Sequence, residues 1–277
     1  EKQFMPSKRE LELVVISDTH LGTYGCHAKE LLNYLKSIRP QTLILNGDII
    51  DIWNFRKSYF PKSHIDVIRQ ILKMMSHGTD VIYITGNHDD VLRKYVNLNF
   101  GKLQLVNHYL FQLDNKRAWI FHGDVFDNTT KGTAKLIAKL GGKGYDLLIL
   151  TNRAINWILE KLNYRKLSFS KRVKNSVKKA VSWISNFENT AAELAIEKKV
   201  DYVICGHIHK QQIKEIVSPH GSVTYLNSGD WVENLSSLEY DQGQWKIYQY
   251  NEEISTDIFD DELVPLNFEM QILAPFN

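Results

Sequence analysis

The chain has 277 residues, 43% hydrophobic and 24% charged. That suits one large domain, or a domain with a sizeable insertion, and not a disordered chain. Lys plus Arg number 34 against 32 Asp plus Glu, a formal charge of +2, so a global basic field for nucleic acid is not supported, although a local patch remains open. No run approaches the roughly 18 apolar residues that cross a bilayer. Glu1 to Glu10 is too polar for a signal peptide, and Cys26 and Cys205 make no disulfide framework, so a cytoplasmic location is expected, with peripheral membrane contact open.

Short runs rich in β-branched and aliphatic residues recur along the chain, and each ends in polar residues. Leu11 to Ser17 runs into Asp18-Thr-His20, Thr42 to Asn46 into Gly47-Asp48, and Val81 to Thr85 into Gly86-Asn87-His88-Asp89. Ala118 to Phe121 runs into His122-Gly-Asp124, and Tyr202 to Cys205 into Gly206-His207-Ile-His209. These read as buried strands whose polar ends lie beyond the carboxyl edge of a sheet, where α/β folds place ligands. Helical spacing over Ala28 to Ile38 and His64 to Ser76 supplies the alternation of a layered α/β core.

Residues 129–194 have helical spacing and no convincing strand, and read as a helical insertion between two core strands. Lys161 to Lys179 holds eight basic residues and no acid, either a solvated helix face or a cationic surface. Val223 to Tyr250 returns to strands around a Gln242-Gly243 turn. The domain is therefore expected over 1–250, followed by an extension over 251–277 in which Glu252 to Glu269 carries seven acids.

The five motifs offer carboxylate and amide oxygen and imidazole nitrogen, and no thiolate. This donor set suits Mn, Fe, Zn or Mg rather than a structural zinc knot. In an extended segment, positions i and i+2 project to the same side, so Asp18 with His20, and His207 with His209, can reach one centre. The bland alternative is a set of polar residues satisfied in turns, which five motifs in this order make hard to sustain. His27, His64, His77, His108 and His220 lack ligand spacing and read as surface or packing residues, and Cys205 reads as a buried filler.

The motif set resembles the calcineurin-like, or binuclear, metallophosphoesterases over about Leu11 to Tyr250. The resemblance implies a four-layer α/β sandwich of two mixed β-sheets flanked by helices. It implies two divalent metal ions, with Mn2+ favoured and Fe, Zn or Mg as alternatives. One ion would take Asp18, His20, Asp48 and His209, the other Asp48, Asn87, His122 and His207, with Asp48 bridging. A hydroxide formed between the ions would attack phosphorus. His88 would serve the leaving oxygen, oriented by Asp51, for which a helix N-cap is the alternative. Asp89, Asp124 and Asp127 are expected as supporting hydrogen-bond partners.

Ile16-Ser-Asp18-Thr-His20-Leu-Gly22, Gly47-Asp48-Ile-Ile-Asp51-Ile-Trp53, His122-Gly-Asp124-Val-Phe-Asp127 and Asn227-Ser-Gly229-Asp230-Trp231-Val-Glu233 resemble more narrowly the UDP-2,3-diacylglucosamine hydrolases. That implies a lipid-linked nucleotide substrate cleaved to UMP and a lipid monophosphate, contact with the inner membrane surface, and an insertion that gathers acyl chains. Trp53, Arg153, Lys161, Arg165, Lys171 and Arg172 are then expected at the substrate. The better-known members of that branch carry Arg where this chain has His88. A nuclease would want a broad basic groove with stacking aromatics. A protein phosphatase stays open, though the insertion argues mildly against it. A metal-bearing scaffold without catalysis would be favoured by a missing bridging Asp or Asn, and neither is missing.

Overall fold

The computed structural model describes residues 8–52, 59–129 and 171–251, with the side chains of 127–129 and 171–182 left out of the description. In chain order come β1 (Arg9–Ile16), α1 (Ala28–Ser37), β2 (Ile38–Asn46), α2 (Lys62–Ser76) and β3 (Asp80–Ile84). A 3-10 helix (Asp90–Tyr95) leads to β4 (Asn99–Phe100), β5 (Leu103–Val106), β6 (His108–Leu113) and β7 (Lys116–Phe121). A second 3-10 helix (Asp124–Thr129) follows, then α3 (Lys171–Glu197), β8 (Tyr202–Cys205), β9 (Gln212–Ser218), β10 (Gly221–Asn227), β11 (Ser236–Asp241) and β12 (Gln244–Gln249).

The strands form a seven-stranded sheet, order β12-β11-β1-β2-β3-β5-β4, and a five-stranded sheet, order β6-β7-β8-β10-β9. Both are mixed. The centres are parallel, with β1, β2, β3 and β5 in one and β7, β8 and β10 in the other, and antiparallel strands close the edges. Strand periodicity sets the layers. In β1, Val14 and Ile16 pack with Leu31 and Leu35 of α1 and Val67 and Ile71 of α2. The alternate residues Leu13 and Val15 join Ile44, Ile82 and Ile84 against Ile120, Ile204 and Leu226 of the other sheet. On the far face, Phe187, Ala191, Ala192 and Ala195 of α3 cover Val203, Cys205 and Tyr225. Small alanines let α3 lie close to the strands. Helix, sheet, sheet and helix make the four layers that the family resemblance implies.

All five strands named from sequence are present, as are both helices. The Gln242-Gly243 turn has positive φ at both residues (49° and 76°), the conformation that joins β11 to β12 in a tight hairpin. Three strands between β3 and β7 and strand β9 are additions that the sequence reading does not name. The reading ends the helical insertion at 194, whereas α3 continues to Glu197 with its second half packed on the smaller sheet. Residues 130–170, and the acidic extension beyond Asn251, lie outside the described residues, as do Trp53, Arg153, Lys161 and Arg165. Among the described residues no helix is long and apolar enough to cross a membrane.

One histidine ties helix α2 to the loop after β1. His64 is 2% exposed, edge-on to Phe60, and its Nδ1 accepts the Gly22 backbone N–H at 2.9 Å. Burial pushes its pKa down to about 4, and protonating Nδ1 would also break that bond. The folded value lies below the unfolded one. This contribution is therefore complete above about pH 6.5 and is lost as pH falls toward 4, on the order of 3 kcal/mol. In urea unfolding, the wild-type midpoint should fall more steeply from pH 7 to pH 4.5 than that of His64→Gln. Parallel curves would refute a buried neutral His64.

Candidate metal centre

The parallel strands β1, β2 and β3 of one sheet and β7 and β8 of the other end at a common edge. Backbone hydrogen bonds lock their ends together. Asp18 N–H donates to Gly47 O (3.1 Å), His20 N–H to Asp48 O (2.9 Å) and Gly206 N–H to His122 O (3.0 Å). Asn46 Nδ2 crosses between the sheets to Phe121 O (3.3 Å). Five of the ten non-glycine residues with positive φ among the described residues are Asp18, His20, Asp48, His207 and His209. Each such conformation costs on the order of 1 kcal/mol. The chain therefore concentrates strain where these side chains turn inward. Gly86 leaves no room for a larger residue, since a Cβ there would lie 2.2 Å from Asp48 Oδ1.

The side chains form three overlapping groups: Asp18, His20 and His209; His20, Asp48 and His88; Asp48, His122 and His207. Within each group one donor atom per residue lies within 4.8 Å of the others. Asp48 joins the second and third groups, its Oδ2 being 3.2 Å from His122 Nε2 and its Oδ1 accepting the His88 N–H at 2.8 Å. Asp18 Oδ1 is 3.2 Å from His209 Nε2, and its Oδ2 accepts the His207 N–H at 3.0 Å. The His122 Nδ1–H donates to Asn46 O at 2.9 Å, which turns Nε2 toward the centre. Asp51 is fully buried, and its Oδ2 lies 3.2 Å from His20 Nδ1 and 3.0 Å from His88 Nδ1. It holds two imidazoles at once, and among the described residues the next helix starts from Pro61.

Electrostatics agree with this packing. Burial would raise the Asp18 carboxyl, but His209 and His122 outweigh it and bring it down to about 2. Asp48 is held well below the usual carboxylate range, with burial overcome by His122, His20 and His88. Burial would lower His209, yet Asp18 lifts it to about 9. Burial likewise opposes charge on His88, and the bond to Asp51 together with nearby Asp48 raises it nonetheless. Asp89 goes the other way, raised by burial and by Asp48.

A test of fit for metal comes from the orphaned atoms. His20 Nε2, Asn87 Oδ1, Asp18 Oδ1 and His122 Nε2 are buried and make no well-formed hydrogen bond among the described residues. The last two have only ion-pair neighbours at 3.2 Å. An unsatisfied buried polar atom costs about 1–3 kcal/mol, so His20 Nε2 and Asn87 Oδ1, which have no such neighbour among the described residues, call for a ligand at this edge. Oxygen and imidazole donors with no thiolate suit a hard or borderline dication, and the residues present fit one.

The structure brings Asp18, His20, Asp48, His88, His122, His207 and His209 together, with Asp51 behind them. The buried Asn87 Oδ1 lies one residue from His88. Asp89 braces the loop from within, accepting Ile49 N–H (3.0 Å), Gly86 N–H (2.6 Å) and the Tyr83 hydroxyl (2.7 Å). Asp124 pairs with Arg93 Nη2 at 2.5 Å. Asp127 sits in the second 3-10 helix and Lys171 and Arg172 at the start of α3, with side chains outside the description.

Three partners are given no role in the sequence reading, although Asp230 lies in one of its motifs. Arg93 spans from Gly86 O (3.4 Å) to Asp124, tying the loop after β3 to the turn after β7. Asp230 is fully buried. Its Oδ1 gathers the N–H groups of Val232, Glu233 and Asn234, and its Oδ2 stands 3.9 Å from His209 Nδ1. Asn234 Nδ2 bonds both Asp230 Oδ2 (2.6 Å) and His209 O (2.7 Å). The Gly229-Asp230 turn signal is visible in the sequence, but its partner His209 lies in a different motif.

Two outcomes follow. Asp18 lifts His209 to about 9, and an ion taken by its imidazole would have to displace that proton, so binding near pH 7 should release protons. Calorimetric heats of Mn2+ binding at pH 7 should vary with the ionisation enthalpy of the buffer, and buffer-independent heats would refute this ion pair. Asp51→Asn should weaken Mn2+ binding by about 10–100-fold by loosening His20; unchanged affinity would show that Asp51 does not orient it.

The sequence profile of the calcineurin-like phosphoesterases matches residues 11–211. The chain is similar to the UDP-2,3-diacylglucosamine hydrolase of Histophilus somni (strain 2336), 24% identical over 235 residues, 81% of this chain and 94% of that one. It is similar to the protein of the same name from Aliivibrio fischeri (strain MJ11), 22% identical over 249 residues, 86% and 97% of the two chains. Among solved structures, an archaeal phosphodiesterase is 14% identical with a TM-score of 0.40, over 86% of this chain and 98% of that one. With the profile covering most of its length, the chain belongs to the calcineurin-like phosphoesterases, which are metal-dependent hydrolases.

Proposed function

We propose that the chain hydrolyses the pyrophosphate of UDP-2,3-diacylglucosamine, or of a similar lipid-linked nucleotide, to UMP and a lipid monophosphate. The observation that carries the reaction class is the set of buried, unsatisfied donor atoms converging at the shared strand edge. The substrate rests on the hydrolases named above, each aligned over more than nine tenths of its length.

Asp18, His20, Asp48 and His209 hold one ion in this reading, and Asp48, Asn87, His122 and His207 the other, Mn2+ being favoured over Fe, Zn or Mg. Two such ions supply a water activated near neutral pH and offset the charge that builds on phosphate oxygens. Overall, water adds across a bridging P–O bond. His88 stands beside the pair with its Nδ1 3.0 Å from Asp51 Oδ2, which orients the ring; in its protonated form it also carries an Nε2–H for the departing phosphate oxygen. Burial opposes charge on this ring, but Asp51 and Asp48 raise its pKa and so favour the protonated form.

Lys171 and Arg172 open helix α3. With Trp53, Arg153, Lys161 and Arg165 they are assigned to the anionic and acyl parts of the substrate. The basic run Lys161 to Lys179 suits an anionic membrane surface. His88, where the resembling branch carries Arg, favours a second reading: a phosphodiesterase of wider range, as in the rest of the family.

Purified protein with Mn2+ should release UMP from UDP-2,3-diacylglucosamine faster than it cleaves bis-p-nitrophenyl phosphate. Cleavage of the generic diester with no UMP release would select the second reading. Asp48→Ala should lose both ions and nearly all turnover. His88→Ala should keep its metal and lose about 10²–10⁴ in kcat, and full activity at unchanged metal content would remove His88 from the reaction.

A further inference from the structure

Helix α3 enters the metal centre from outside the five motifs. Its end lies near the start of β8, where Val200 N–H donates to Ala195 O (3.2 Å) before β8 begins at Tyr202. Earlier in the helix, Phe187 lies near the other end of β8, beside His207. The helix therefore runs antiparallel to β8, and its residues before Trp183 extend past the sheet edge. Twelve residues precede Trp183 in the helix, about 18 Å of helix.

The His207 imidazole is bounded by rings. His122 is 5.1 Å away between centroids, and Trp183 and Phe187 are each at 6.3 Å, with Trp183 edge-to-face. Phe187 also lies against Gly123, where a Cβ would come 2.5 Å from Phe187 Cζ at a backbone φ of +121°. The same ring meets Phe126 edge-on at 5.4 Å. Two residues one helical turn apart thus touch His207 and the turn that carries His122. On the His207 side of the centre the flanking groups on α3 are aromatic.

We infer that α3 is a working part of the second ion position, with Trp183 the positioning residue for His207 and Phe187 for the His122-Gly123 turn. The inference rests on the metal-centre reading above and goes beyond it. The helix that emerges from the insertion sets the occupancy of one ion and leaves the other alone. The Asp18, His20 and His209 group has no ring contact with Trp183 or Phe187 among the described residues.

The test is Mn2+ titration of the full chain by calorimetry, with metal counted after desalting, for the wild type, Trp183→Ala and Trp183→Phe. Wild type should hold two ions. Trp183→Ala should keep one at wild-type affinity and bind the other about 10–100-fold more weakly. Trp183→Phe, which retains a ring, should stay close to wild type. Trp183→Leu keeps apolar bulk without aromaticity and replaces the alanine variant should that one unfold. Two ions at wild-type affinity in the variant without the ring would overturn the inference, and so would equal weakening of both. A wild-type chain that holds fewer than two ions would instead overturn the metal-centre reading, and the inference with it.

Discussion

Everything at the strand edge depends on burying acids and imidazoles together. Asp48 shows the constraint most clearly. It is 2% exposed, it lies where β2 ends, and the groups at both of its oxygens come from other elements: the His88 N–H after β3 and the His122 ring after β7. A carboxylate so placed is costly without positive partners, and the surrounding histidines supply them. The two sheets are thereby joined electrostatically at one point, beyond the apolar contact between Val15, Ile44, Ile120 and Ile204 that joins them along their length.

That arrangement explains why the fold tolerates five strained backbones in a row of motifs. A left-handed Asp or His is unfavourable alone, but it aims a side chain back over the strand end. The apolar layers are extensive enough to carry such local costs. Asp51, Asp89 and Asp230 then serve as braces. Each is fully buried and each spans to residues from a different loop, so the inward-facing groups are fixed by a second ring of bonds. Arg93 performs the same service nearer the surface, with the charge of Asp124 as its partner.

Much of this was legible in the residues. Strands β1, β2, β3, β7 and β8 are dense in β-branched and aliphatic residues because both of their faces are covered, and such runs stand out. The motifs at their ends could be read as ligands because parallel strands place their carboxyl ends at one edge. Edge strands were harder. β6 alternates exposed and half-buried positions, and β4 has only two residues, so neither presents a buried run. Pairings across long separations were not legible either. Nothing in the order of residues says that Asp230 braces His209 or that Trp183 reaches His207, since those contacts are set by how α3 and the β10–β11 loop pack. The grip of Asp51 on His20 was not foreseen, because the family resemblance that implies its role toward His88 says nothing of His20.

The most direct measurement is anomalous diffraction from a crystal grown with Mn2+. The account predicts two manganese peaks about 3.5–4 Å apart, with Asp48 between them, one beside Asp18, His20 and His209 and the other beside Asn87, His122 and His207. A single peak, or none among these side chains in a crystal that binds manganese elsewhere, would contradict it.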